Sequence, residues 1–270
     1  MNNLLVTGSQ GFIGSYIIDY FEERYNCMGL SRSTGFDIVN YDNLKQISFN
    51  PDIIIHSAGY LGNDFETSFQ TNVVGTLNVC KFAKDKGIKH FILISSIFVF
   101  NNLENEYYNN YGMSKKQSEE ITEQFCKEND INLTILRLSQ VYDPARKSKE
   151  SQKMLYYFID SIYKTKKVNI FGSKDPLRNY IHINDVIEII DDVVEMKTFG
   201  TFNVINEKSS SISEISKIIF KIHNLDININ YLKEKDNILS VYIPSTNLYD
   251  KKNNYIPLLE GIREIIKYGQ

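Results

Sequence analysis

The stretch Thr7-Gly8-Ser9-Gln10-Gly11-Phe12-Ile13-Gly14 follows the apolar run Leu4-Leu5-Val6 and precedes the helix-like stretch Ser15 to Arg24. A short apolar strand, a glycine turn and an amphipathic helix form an anion-binding device. Gly8 permits the tight turn, Gly11 lets the backbone approach a pyrophosphate, and Gly14 lets helix and strand pack closely. The free N–H groups at the helix start then face phosphates. The context on both sides favours a dinucleotide site over an ordinary strand-to-helix turn.

Outward from that turn, β-branched runs alternate with helical patterns, which predicts an α/β chain with a parallel sheet. The predicted strands are Asn3–Thr7, Cys27–Leu30, Ile53–Ser57, His90–Ser95 and Leu133–Leu138, with helices over Thr67–Lys86 and Tyr111–Asn129. From Asp143 the pattern loosens into a helix over Met154–Lys164, a short strand Val168–Phe171 and a Gly172–Pro176 loop. A helix over Asn184–Met196 and a strand over Thr201–Ile205 follow, with helices Ser213–His223 and Leu258–Tyr268 last. The expected architecture is a Rossmann-type doubly wound sheet over 1–142, rejoined by about 181–206, with a smaller lobe from 143–180 and 207–270.

A chain of 270 residues with a formal charge of -3 gives no electrostatic case for nucleic acid or an anionic membrane. Cys27, Cys80 and Cys126 form no CxxC and have no nearby His pair, which predicts reduced thiols in a cytoplasmic protein with no metal site. The first strand begins at residue 3 or 4, so no signal peptide is expected, and Phe91–Phe100 is too short to span a bilayer.

Tyr111 and Lys115 share one helix face at i and i+4. A phenol titrates near ~10, and an adjacent ammonium favours the phenolate, bringing it toward the working range. Such spacing also arises by chance on surfaces. The strand His90–Ser95 before it raises its standing, because its C-terminal edge carries Ser95-Ser96, where ligands bind in open parallel sheets. A serine hydroxyl there can hold a carbonyl or alcohol oxygen while the tyrosine moves a proton.

With these residues in view, the chain resembles the extended short-chain dehydrogenases/reductases of the nucleotide-sugar epimerase/dehydratase/reductase group. The matches are TGxxGFIG at Thr7–Gly14, DIIIHSAG at Asp52–Gly59, NVVGT at Asn72–Thr76, SSIFVF at Ser95–Phe100 and YGMSK at Tyr111–Lys115. LRLSQVYDP at Leu136–Pro144, RNYIHINDV at Arg178–Val186 and EGIREIIKY at Glu260–Tyr268 complete the order. The resemblance implies a catalytic set of Ser96, Tyr111 and Lys115, with Ser96 preferred over Ser95 by its spacing from Val99. It implies cofactor contacts from Gly8, Gly11, Phe12, Ile13 and Gly14, from the loop His56, Ser57, Ala58 and Gly59, from Asn72, and from Tyr111 and Lys115. His56 reads equally as an imidazole capping a strand end, and Asn72 as structural. Arg178 matches the arginine that binds the diphosphate of a nucleotide-diphosphate sugar substrate, with a solvated loop arginine as the bland alternative. Gln140 stands where relatives carry Asn, beside the substrate.

The end of the second predicted strand reads Leu30-Ser31-Arg32-Ser33, with no carboxylate to hold a ribose 2′-OH. Ser31 and Arg32 suit a 2′-phosphate, so NADP(H) is favoured. Asp37, with Ile38 beside it, matches the family's adenine contact and keeps NAD(H) possible. The acid–base pair of a 4,6-dehydratase is replaced by Ile97-Phe98, and Val141–Arg146 lacks the His of the epimerising reductases. What remains is reduction of a 4-keto group on an NDP-4-keto-6-deoxy sugar, or 4-epimerisation with tightly bound NAD. A non-catalytic NADP(H)-sensing regulator is the third alternative, set against by the retained Tyr–Lys pair. The loop Asn101–Asn110 is shorter than in most relatives. The resemblance further implies a homodimer through the helices over Thr67–Lys86 and Tyr111–Asn129.

Overall fold

A computed structural model describes residues 2–100 and 109–269. Most of the Asn101–Asn110 loop, including Tyr107 and Tyr108, thus lies outside the described residues. The chain runs β1 (Asn3–Thr7), α1 (Phe12–Phe21), β2 (Asn26–Leu30), α2 (Tyr41–Lys45), β3 (Ile53–His56) and α3 (Phe65–Phe69). A π turn, Gln70–Val74, leads into α4 (Gly75–Lys86), and then come β4 (His90–Ser96), α5 (Asn110–Glu128) and β5 (Asn132–Leu138). Later elements are β6 (Gln140–Tyr142), α6 (Lys153–Thr165), β7 (Val168–Phe171), β8 (Leu177–Arg178), β9 (Tyr180–His182), α7 (Ile183–Met196) and β10 (Gly200–Val204). The last are β11 (Ser210–Ser211), α8 (Ile212–Ile222), β12 (Ile229–Leu232) and α9 (Leu258–Tyr268).

Two compact units share this chain. The first takes residues 1–138, 187–204 and 244–249, and the second takes 139–186, 205–243 and 250–270. The first unit is built on a parallel six-stranded sheet in the order β10-β5-β4-β3-β1-β2, as the Rossmann-type reading expects. Every residue of β4 is buried, the signature of a central parallel strand covered on both faces. One core face packs Leu5, Ile54, Phe91 and Leu93 against Val79 and Phe82 of α4. Outside β10, segment 244–249 lies alongside: Asn203 N–H donates to Asn247 O at 2.7 Å and Tyr249 N–H to Asn203 O at 3.0 Å.

The second unit packs α6, α8 and α9 about Tyr156, Ile159, Ile162, Ile219, Phe220 and Ile265. Its strands form three two-stranded pieces, β6 with β9, β7 with β12 and β8 with β11. Ser211 and Glu214 close a reciprocal capping box at the start of α8.

Candidate active site

The glycine turn is built on backbone approaches that only glycine allows. Gly8 sits at φ +71°, and a Cβ there would lie 2.7 Å from Ala58 Cα. A Cβ on Gly14 would overlap Gly8 O. The turn is tied to β2, with Gly8 N–H donating to Leu30 O at 2.8 Å. Gly11 is the N-cap of α1; no side chain caps that end and no acidic residue stands in its first turn. The amides of Phe12, Ile13 and Gly14 therefore open the helix with its positive dipole end uncovered, and this end fits a dinucleotide pyrophosphate.

At the end of β2, Ser31 caps a 3-10 turn, Arg32–Thr34, and its hydroxyl lies 2.9 Å from that of Ser33. Arg32 is exposed and makes no salt bridge among the described residues. Asp37 Oδ1 accepts from Val39 N–H at 3.0 Å, and Ile38 is buried with its carbonyl accepting from Asn78 Nδ2 at 3.0 Å.

Two residues sit differently from a simple ligand contact. His56 is fully buried, and both ring nitrogens are engaged inside the chain. Nδ1 lies 2.6 Å from Thr7 Oγ1 and Nε2 lies 2.9 Å from Thr76 Oγ1. Thr76 spends its own proton on Asn72 O, so the ring donates from Nε2 and accepts at Nδ1 from Thr7. Burial, helped by the Lys115 charge, lowers its pKa to about 3. Asn72, in the π turn, holds the Tyr60 backbone through both amide atoms, at 2.7 and 3.0 Å, and donates to Ser114 Oγ at 2.9 Å. It fixes the loop carrying Ser57, Ala58 and Gly59 to α5. Ser57 Oγ donates to Thr7 O at 2.7 Å, and Ala58 N–H reaches Thr7 Oγ1 at 3.3 Å.

Ser96, Tyr111 and Lys115 meet at the C-terminal end of β4. Asn109 caps α5, its Oδ1 accepting from Gly112 N–H at 2.8 Å. Gly112 lacks a Cβ that would otherwise stand 2.8 Å from Phe98 O, so α5 starts directly over the turn that follows Ser96. Tyr111 is half-buried with its ring edge-on to Phe98, 6.2 Å between centroids, and Ser96 lies near enough to pull its pKa down; Ser96 Oγ accepts from Phe98 N–H at 3.3 Å. One turn on, buried Lys115 donates from Nζ to Ile94 O at 2.6 Å. The phenol does not lie low, as the Tyr–Lys spacing alone suggests. Burial pushes Tyr111 up to about 12, with Ser96 pulling the other way, while burial brings Lys115 down to about 8 against the pull of Glu119. The desolvation outweighs both favourable contacts.

Ser95 faces elsewhere: its hydroxyl donates to Glu119, which holds Arg137 through two nitrogens, Nη2 to Oε2 at 2.6 Å and Nε to Oε1 at 3.0 Å. The sequence reading missed this trio, although Glu119 stands at i+4 from Lys115. In the second unit Arg178 is buried, with Nη1 donating to Leu177 O and Leu239 O, each at 2.7 Å. Gln140 Nε2 lies 3.3 Å from Gln152 Oε1, and its own carbonyl oxygen is buried without a partner among the described residues. Among the described residues no group of three or more His, Cys, Asp or Glu could hold a metal, and no helix is long and apolar enough to cross a membrane.

This geometry agrees with the comparisons. The family model "NAD dependent epimerase/dehydratase family" matches residues 4–205. UDP-glucuronic acid decarboxylase 2 of Arabidopsis thaliana is 23% identical over 84% of this chain, which spans 58% of that protein's length. A UDP-glucose 4-epimerase of Thermotoga maritima, solved with UDP-glucose, superposes with a TM-score of 0.80 at 21% identity, covering 99% of this chain and 98% of that one. The protein RMD of Pseudomonas aeruginosa, solved with NADPH, superposes at 0.83 with 19% identity over 99% and 98% of the two chains. With the parallel sheet, the glycine turn and a family match over three quarters of its length, the chain belongs to the NAD-dependent epimerase/dehydratase family.

Proposed function

We propose that the protein is a nucleotide-sugar oxidoreductase that reduces the 4-keto group of an NDP-4-keto-6-deoxy sugar with NADPH. The observation that carries the reading is the end of β2, where exposed Arg32 stands between Ser31 and Ser33 and no carboxylate is present. A guanidinium and two hydroxyls suit a 2′-phosphate, while a carboxylate there would repel it. Bound NADPH supplies the hydride. The chain's own residues do the rest. Phe12, Ile13 and Gly14 amides hold the pyrophosphate, and Asn72 keeps the Ser57–Gly59 loop in place beside it. Asp37 and Ile38 border the adenine, and Arg178 and Gln140 receive the diphosphate sugar.

At the reacting oxygen, Tyr111 is protonated at neutral pH, as any phenol is, and is placed to donate; burial holds its pKa high before substrate and cofactor bind. Ser96 donates a hydrogen bond to the same oxygen and orients it. Ile94 O occupies one of the three Lys115 donors, leaving others for the ribose, and its positive charge favours the phenolate left after transfer.

A second reading, 4-epimerisation with a retained NAD, is favoured by the likeness to the Thermotoga maritima epimerase and by Asp37. The two separate on purification. A reductase releases its cofactor each cycle and consumes NADPH stoichiometrically. Bound NAD surviving dialysis, with 4-epimers interconverting unaided, overturns the reductase.

A further inference from the structure

Three residues of α5, one turn apart on a single face, each reach a different one of the last three residues of β4. Lys115 donates to Ile94 O and the Glu119 carboxylate accepts from Ser95 Oγ, while Tyr111 stands beside Ser96 and packs on Phe98. Glu119 is buried, and Arg137 grips it from the adjacent strand, where Arg137 is the register partner of Ser95. Arg137 also stacks over the Phe100 ring, 5.0 Å from its centroid. A carboxylate removed from water with a forked guanidinium and a serine hydroxyl on it is held to a narrow geometry. Glu119 thereby ties α5 to Ser95, the residue next to Ser96, two helical turns beyond Tyr111.

We propose that Glu119, gripped by Arg137, is a positioning residue that locks the end of β4 to α5 and holds Ser96, Tyr111 and Lys115 in register. The inference rests on the reading of those three as the reacting group. Its charge has a second consequence: Glu119 favours the ammonium of Lys115 against the burial that disfavours it. A purely structural ion pair would stabilise the fold and leave kcat unchanged in a variant that still folds.

The test follows Lys115 by NMR in the full chain carrying 13C at lysine Cε, its signal identified as the one lost in Lys115→Met. In Glu119→Gln the Lys115 midpoint is expected to drop by about one pH unit. In Glu119→Met/Arg137→Met, a pair that leaves neither buried partner charged if the single variant fails to fold, the Arg137 charge is lost as well, so the midpoint should fall less and kcat is the readout. Glu119→Asp keeps the charge and restores most of the midpoint. Nicotinamide-dependent turnover in Glu119→Gln should fall by about tenfold or more in kcat, with KM for the nicotinamide within about twofold. An unchanged Lys115 midpoint in folded Glu119→Gln, or an unchanged kcat in either folded variant, overturns the inference. Absence of turnover in the wild-type chain would overturn the proposed reaction instead, and the midpoint alone would then decide the role of Glu119.

Discussion

In the proposed reaction Tyr111 carries the proton chemistry, and its hydroxyl oxygen is the one heavy atom removed by Tyr111→Phe. That variant should lower turnover by orders of magnitude with nicotinamide affinity within about twofold, because only the proton path is lost; stopped-flow kinetics with fluorescence titration checks both. Arg32→Ala addresses the cofactor. A charge-assisted contact with a 2′-phosphate contributes roughly 1.5–3 kcal/mol, about ten- to a hundredfold in affinity. The variant should lose most of any NADPH preference and keep its NADH affinity, measured by calorimetry. His56 makes a stability prediction. Its folded value, about 3, lies below the ~6.5 of the unfolded chain, so the unfolded state binds more protons between the two. The stability it contributes is complete above about pH 6.5 and is lost as pH falls toward 3, at up to about 1.4 kcal/mol per pH unit. Urea unfolding at pH 7, 6 and 5 should show the midpoint falling, with a shallower fall in His56→Gln. An equal slope in that variant would contradict the assignment.

At the scale of elements, the glycine turn makes the sharpest stability claim. A methyl on Gly14 must displace the Gly8 carbonyl, so Gly14→Ala should cost on the order of 2 kcal/mol or more and remove dinucleotide binding, read by thermal unfolding with and without nicotinamide. The same turn was legible in the sequence because glycine spacing, an apolar strand before it and a helical period after it are all local signals. β4 and α5 were legible for the same reason: a continuous apolar run ending in Ser95-Ser96, then a long helical pattern opening on Tyr111. The Glu119–Arg137 grip was not, since it joins residues on different elements through a register that only strand pairing sets. Strands β6, β8, β9 and β11, of two or three residues each, are too short to show a period. The engagement of both His56 nitrogens likewise depends on Thr7 and Thr76, which lie 49 and 20 residues away.

For the whole molecule, the homodimer expected from the sequence would pair through the helices over Thr67–Lys86 and Tyr111–Asn129. Val74 in the first of these is exposed at 39%, and just before it Phe65, exposed at 57%, stacks on Phe69, apolar surface that a second copy can cover. Sedimentation at micromolar concentration should give a dimer, and Phe65→Asp should shift it to monomer; a monomeric wild type contradicts the pairing. The purpose assigned to the whole chain is hydride transfer to the C4 carbonyl of a nucleotide-linked sugar. Its most direct test is incubation of the purified protein with NADPH and a panel of nucleotide-linked 4-keto-6-deoxy sugars, following absorbance and identifying products by NMR. The expected result is one NADPH oxidised per sugar reduced, with a single new hydroxyl configuration at C4 and no tightly held cofactor at the start. Retained NAD, no NADPH consumption and interconversion of 4-epimers without added nicotinamide would contradict it.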